Sequence, residues 1–282
     1  MSGFQAGKYF LPLNGPACIM GILNVTPDSF SDGGSNFRSQ DAVSHALEMQ
    51  EQGAGILDIG GQSTRPGFVP IPPEEEWARI EPVLKGLKGR LQIPLSIDTF
   101  YPQVAALALQ NGADIINDVM GFEDSGMFPA IKESNCGCVI MHNGNTLEEN
   151  TEEDILIRVR RFFQKKVEQA KEMGISPARI CLDPGVGFGK THEENLQLIA
   201  NVQSLKIPEC SFLMAASRKR VIGRPCGDPP AAERMAGTVA AHTLAQAGGA
   251  QILRVHDVKE AVQAAQVAHA VLCAQAGGNG IG

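Results

Sequence analysis

Short apolar runs, leaning towards β-branched residues, recur along the chain at 18–25, 55–60, 94–99, 114–119, 137–142, 179–184, 211–216 and 251–256. Runs of this length, bounded by turn residues, read as strands buried on both faces. Between them lie segments with apolar residues at helical spacing: 40–53, 74–89, 102–111, 125–135, 152–174, 193–204, 231–248 and 258–276. The fifth is the clearest. Ile155, Val159, Phe162, Phe163, Val167 and Ala170 share one face, Thr151 and the acids after it mark a start, and Gly174 marks an end. Gly-Ala pairs at 53–54, 112–113 and 249–250 stand just before strands, as glycines that close the preceding helix. Strands alternating with helices imply parallel strands joined by crossovers. Eight such units in about 250 residues fit an α/β protein of the (β/α)8 TIM-barrel type better than a doubly wound sheet. Residues 1–17 are expected to pack on the barrel as an N-terminal extension, residues 18–276 to form it as a single domain, and the glycine-rich 277–282 to be a flexible tail.

In such a barrel, function gathers at the C-terminal ends of the strands. Those ends read Asn24, Asp58 followed by GGQSTRPG, Asp98-Thr99, Asn117-Asp118, Met141-His142-Asn143, Asp183, SRKR at 217–220, and Arg254 to Asp257. Helix capping accounts for some of these, Asp98-Thr99 and Asn117-Asp118 best of all, but poorly for the set. A convergent site is therefore expected. Asp98, Asn117 and Asp183 offer acceptors and one amide for the edge of a flat polar heterocycle. A carboxylate pairs bidentately with the N–C–N edge that pterins and guanines carry. Taken alone, Asp183 would be a core ion pair or a cap, and Lys219 a surface lysine; together, Lys219 adds a donor for a ring carbonyl or nitrogen. Arg218 and Arg220 alternate to the other side, and one of them suits a structural role. Arg254 and His256, at i and i+2 on the last strand, form a cationic pair suited to an anion.

Two loops need separate treatment. The segment after Asn24, running at least to Ser39, is too long for a plain turn, and loops of that length in compact domains are usually functional or disordered. DPGVGFGKT at 183–191 ends like a phosphate-binding loop, yet Pro184 stands where that motif requires glycine. Its glycines are better read as shaping a tight turn that exposes Phe188 to a pocket.

Composition narrows the partners. A net charge of −7 argues against nucleic-acid and membrane surfaces, which are anionic and demand clustered Lys and Arg. The seven cysteines are scattered without a CxxC pair, and several sit in apolar runs, as in a reduced, cytoplasmic protein. The N-terminus lacks the plan of a signal peptide, and no apolar run of membrane-spanning length occurs.

GILNVTPDSFSDGG, DIGGQSTRPG, SIDT, GADIINDV, DPGVGFGKT, SRKR and ILRVHDVKE, in that order and each at an expected strand end, resemble the dihydropteroate synthase family. The resemblance spans about 18 to 260 and implies a (β/α)8 transferase of folate biosynthesis. Such an enzyme joins 6-hydroxymethyl-7,8-dihydropterin diphosphate to 4-aminobenzoate, releases diphosphate and is a sulfonamide target. By resemblance, Asn24 would be the protein ligand of Mg2+, and Arg65, Arg254 and His256 would hold the diphosphate. Asp98, Asn117, Asp183 and Lys219 would read the pterin edges, with Met141 and Arg254 on its faces. Phe30, Thr64, Pro66, Phe188 and Lys219 would shape the aminobenzoate slot, Asp32 would organise the closed state, and loops 25–38 and 61–70 would act as lids. A homodimer through the last helices is expected on the same ground. The sequence departs from the family's usual residues at Gln62, commonly Glu, at 141–150, and at Arg220, often Ser. The rival readings are a pterin-binding methyltransferase module and a non-catalytic pterin-binding paralogue. The first has no use for NVTPDSFSDGG, STRPG and SRKR; diphosphate release separates the second. A Schiff-base aldolase is disfavoured because no expected strand carries an interior lysine.

Overall fold

The computed structural model describes residues 3–26, 35–63, 68–145 and 153–278. A β-hairpin comes first, β1 (Gly3–Ala6) and β2 (Tyr9–Pro12), paired antiparallel. Parallel strands follow: β3 (Cys18–Asn24), β4 (Ile56–Gly60), β5 (Leu95–Asp98), β6 (Ile115–Asp118), β7 (Gly137–Met141), β8 (Ile180–Asp183), β9 (Ser211–Met214) and β10 (Ile252–Val255). They pair in chain order, and β10 returns to β3, closing the barrel. All eight expected strands are present, so the (β/α)8 reading holds.

The intervening helices are α1 (Ser35–Glu51), α2 (Pro73–Leu87), α3 (Pro102–Gln110), α4 (Met127–Lys132), α5 (Ile155–Glu172), α6 (His192–Ala200), α7 (Val202–Leu205), α8 (Arg220–Gly223), α9 (Met235–Ala247) and α10 (Val258–Gly278). The segment after Asn24, expected to run as a loop at least to Ser39, gives way to α1 already at Ser35. Two further departures from expectation have local causes. The expected helix 193–204 is divided at Asn201, whose amide donates to the Gln197 carbonyl and closes α6 a turn early. The start of α5 is set by Asp154 and not by Thr151, which lies outside the described residues. Asp154 has extended backbone (ψ 132°) and its Oδ1 accepts from the Leu156 N–H at 2.8 Å, satisfying an end donor that the helix itself cannot. Gly53, Gly112, Gly174 and Gly249 all adopt positive φ at helix ends, as the sequence pattern implied.

Alternation along each strand separates two cores. Leu57, Ile97, Ile116, Ile140, Leu182 and Leu253 pack outward against the helices. Met20, Ile56, Ile115, Val139, Leu213 and Ile252 fill the barrel interior, and the hairpin's Phe4 and Ala6 join them with Leu13. The hairpin thus plugs the barrel at its N-terminal mouth. Its approach requires a glycine at the start of β7: a Cβ on Gly137 would lie 2.5 Å from the Phe4 ring. With one mouth filled by apolar side chains, the opposite end is left for polar ones. All seven cysteines are unpaired. Among the described residues, no helix is long and apolar enough to cross a membrane.

Candidate active site

The inward positions near the strand C-termini are Asn24, Asp58, Asp98, Asn117, Asp183 and Arg254, and four of them form one hydrogen-bonded group. Asp58, fully buried, accepts from Ser96 Oγ at 2.6 Å, Asn117 Nδ2 at 3.1 Å and Arg254 Nε at 2.7 Å. Arg254 Nη2 also donates to Asp98 Oδ2 at 2.8 Å. Strand register produces this group, because Asp58 lies beside Ser96 and Asp98 beside Asn117 on neighbouring strands. Asp98 Oδ1 is buried with no hydrogen-bond partner among the described residues. Burial raises the Asp98 carboxyl to about 8 against the pull of Arg254. Gly60 sits between Asn24 and Asp98. A Cβ there would stand 3.6 Å from Asn24 Oδ1 and 3.7 Å from Asp98 Cβ, so the glycine keeps that space open.

On the other side of the mouth, Asp183 lies beside the buried Met141, and its Oδ1 accepts from the Gly185 N–H at 2.8 Å. Lys219 Nζ donates to the Val186 carbonyl at 2.6 Å and stands 4.8 Å from the centre of the half-buried Phe188 ring. Burial is the larger influence on both ionisable groups: it raises Asp183 and lowers Lys219 to about 8, each opposed by the other's charge. Between them runs the 184–190 loop. Gly185 and Gly187 are at φ +68° and +89°, and a Cβ on Gly187 would press on the Lys219 stem at 3.3 Å. Lys190 donates to the carbonyls of His142, Gly185 and Phe188 at 2.9–3.0 Å. It pins the loop and does not play the part of a phosphate-binding lysine, which agrees with setting the P-loop aside.

The last two strand ends are tied together. Ser217 Oγ lies 3.0 Å from His256 Nδ1 and also accepts from the His256 N–H at 3.2 Å. Arg218 makes a bidentate pair with Asp257 at 3.0 and 2.5 Å, so of the two flanking arginines Arg218 is the structural one. A cleft of about 410 Å³ opens here, lined by Ile22, His45, Arg218, His256 and Lys259 among others.

The structure thus brings Asp98, Asn117, Met141, Asp183, Phe188, Lys219, Arg254 and His256 to one mouth, with the half-buried Asn24 at the end of β3. Phe30, Asp32, Thr64, Arg65 and Pro66 lie outside the described residues. Strand parity also divides the two pairs suspected of capping. Asp98 and Asn117 point inward, whereas Thr99 and Asp118 serve the local backbone. Thr99 Oγ accepts from the Tyr101 N–H, and Asp118 accepts from those of Met120 and Phe122. Sequence reasoning assigned no role to Asp58, although its inward parity was readable. It also missed the base of the loop after β4. There Glu76, fully buried, accepts from Gln62 Nε2 at 2.9 Å and Thr99 Oγ at 2.6 Å, and the Tyr101 hydroxyl donates to the Ile71 carbonyl at 2.7 Å. Gln62 here donates to the Glu76 carboxyl, a bond that a glutamate at this position could make only with a proton between the two carboxyls.

Comparison with known proteins follows the same line. The family described as "Pterin binding enzyme" matches residues 20–256, so the chain belongs to the pterin-binding enzymes. Within that class it belongs with the dihydropteroate synthases. It is 42% identical over 252 residues to that of Clostridium beijerinckii, covering 88% of this chain and 92% of its relative. Among solved structures, the Xanthomonas albilineans dihydropteroate synthase with 4-aminobenzoic acid superposes with a TM-score of 0.87 at 43% identity, over 93% of this chain and 95% of the other. The Burkholderia cenocepacia dihydropteroate synthase complexed with 7,8-dihydropteroate does so with a TM-score of 0.87 at 38% identity, over 97% and 98%.

Proposed function

We propose that the chain is a dihydropteroate synthase whose barrel mouth reads a pterin with Asp98, Asn117, Asp183 and Lys219. The observation that carries this is the buried, unsatisfied Oδ1 of Asp98 beside a ring of fixed donors and acceptors. An unpaired buried oxygen is costly, and the polar edge of a heterocycle supplies the hydrogen-bond partner it lacks. Met141 and Arg254 lie against the ring faces, and Phe188 with Lys219 borders the aminobenzoate slot, joined by Phe30, Thr64 and Pro66. Arg65, Arg254 and His256 take the diphosphate, and Asp32 helps to organise the closed state.

The reaction is a substitution at the pterin methylene carbon. The aniline nitrogen of 4-aminobenzoate forms the new C–N bond, the C–O bond to diphosphate breaks with its electron pair leaving on oxygen, and the nitrogen gives up a proton. An electron-rich pterin stabilises positive charge at that carbon, and the amine is neutral at pH 7, so no strong general base is assigned. The fixed cations offset charge developing on the leaving group.

Mg2+ fits the donor chemistry at Asn24. The residue offers one neutral amide oxygen, kept open by Gly60, and Mg2+ binds through few protein oxygens while retaining waters and phosphate ligands. When bound, the metal supplies further positive charge to the diphosphate. The chain acts in the cytoplasm as a homodimer; Leu244, Val267 and Val271, exposed at 66%, 65% and 53% on α9 and α10, are the support for pairing there. The test is diphosphate release by the purified protein with Mg2+ and the pterin diphosphate. Release that requires 4-aminobenzoate is expected; pterin binding without release would leave a binding paralogue.

A further inference from the structure

The segment 216–218, which delivers Ser217 and Lys219 to the mouth, is held by side chains of α9 and of the residue before it. The Ala216 N–H donates to His242 Nε2 at 3.1 Å, and the Arg218 N–H donates to Thr238 Oγ1 at 3.0 Å. Arg234 Nη1 donates to the Arg218 carbonyl at 3.2 Å. Arg234, Thr238 and His242 are four residues apart, so they form one stripe along the helix. Within this grip Arg218 adopts φ +57°, a left-handed conformation that a non-glycine side chain disfavours. That turn of the backbone sends the Arg218 side chain to Asp257 and the Lys219 side chain to Val186 and Phe188.

We propose that this stripe is a positioning device for the reaction: Thr238 and His242 of α9, acting through the backbone of 216–218, set where Lys219 stands in the pterin site and where Ser217 stands against His256. Thr238 and His242 are both buried, and each accepts a hydrogen bond from the backbone of that segment. Thr238 Oγ1 also donates to the Arg234 carbonyl at 2.9 Å, which fixes the hydroxyl so that its lone pair faces the Arg218 N–H. His242 accepts on Nε2, so its proton is on Nδ1. Burial lowers its titration to about 4, keeping it neutral and able to accept across the working range of pH. Beside it, His242 and Gln246 line a cavity of about 10 Å³. His242 Nδ1 and Gln246 Oε1, a donor and an acceptor, are both without a hydrogen-bond partner among the described residues.

The proposal rests on the pterin-reading role of Lys219. Its test compares wild type, Thr238→Val and Thr238→Ser in the full chain by two measurements. Amide hydrogen exchange of 214–222 reads the strap without ligand, and titration with 6-hydroxymethylpterin reads the site. Thr238→Val is isosteric and removes the acceptor. The expected result is at least tenfold faster exchange in that segment and at least fivefold weaker pterin binding, both restored to within twofold by Thr238→Ser. General destabilisation would lower the active fraction without changing the Kd of the folded molecules. Faster exchange with an unchanged Kd, or no change in either, would overturn the proposal. Wild type that binds no pterin would instead overturn the functional reading beneath it.

Discussion

Asp58 has its carboxylate wholly enclosed by the Ser96 hydroxyl, the Asn117 amide and the Arg254 guanidinium. It fixes Arg254 by Nε and commits one proton of the Asn117 amide, so two groups proposed to face the pterin take their orientation from Asp58. Arg254 keeps Asp98 as a second carboxylate partner, so the loss of Asp58 should cost about 1–3 kcal/mol, the range for an impaired buried hydrogen-bonded group, and not the larger penalty of a charge left alone. Asp58→Asn keeps the volume and removes the charge. A loss of that order in urea denaturation is expected, together with at least tenfold weaker pterin binding; wild-type behaviour in both would show Asp58 to be a bystander.

Asp98 gives a pH dependence whose sign is fixed by its environment. Its carboxyl is raised to about 8 from an ordinary value near 3.8, and the outward-facing Asp118 is raised by burial to about 7. A carboxyl raised by folding holds a proton in the native state that the unfolded chain has released. Its contribution is therefore present below about 4 and is lost as pH rises through the folded value, by up to about 1.4 kcal/mol per pH unit for each group. Denaturation midpoints of the ligand-free protein should fall between pH 4 and 8, and Asp98→Asn should flatten part of that slope. An unchanged slope would mean that Asp98 is ionised throughout. At this scale the sequence was partly legible. Strand parity placed Asp98, Asn117, Asp183 and Arg254, but Asp58 gained meaning only from Arg254, 196 residues away, which no local pattern connects to it.

Elements were the most legible part, because apolar periodicity is a local property and each strand is bounded by turn residues. The exception is the hairpin. Its fully buried side chains are Phe4 and Ala6, Leu11 packs against the same core while partly exposed, and Phe10 and Pro12 face outward, so the hairpin lacks the continuous apolar run that marks a buried strand. Gly7, at φ +59°, forms with Lys8 a two-residue connection, and a Gly-X pair between strands was the available signal. The element matters beyond its length. Phe4 is fully buried among the barrel's interior side chains, and its ring fills the space that Gly137 leaves. Phe4→Ala should cost about 3–5 kcal/mol in chemical denaturation, with pterin affinity retained because the site lies at the opposite mouth. A cost below about 1 kcal/mol would mean that the barrel closes without its plug.

At the scale of the molecule, the barrel divides its labour by direction along the strands. One mouth is sealed by Phe4 and Leu13, and the other gathers the ends of all eight strands, so residues from Asn24 to His256 meet although they span most of the chain. Alternating strands and helices made that architecture readable, and the rule that barrel sites lie at strand C-termini made the site's place readable. Its internal wiring was not readable: Thr238 and His242 sit mid-helix, where the sequence pattern announces only packing. On the function proposed, this mouth binds pterin diphosphate and exchanges its diphosphate for the amine of 4-aminobenzoate. The most direct test is diphosphate release with Mg2+, with and without 4-aminobenzoate, by wild type and Asp183→Ala side by side. Release should require the amine and fall at least 100-fold in the mutant, about 2.7 kcal/mol in the barrier. Equal release by both proteins, or none from wild type with pterin bound, would contradict it.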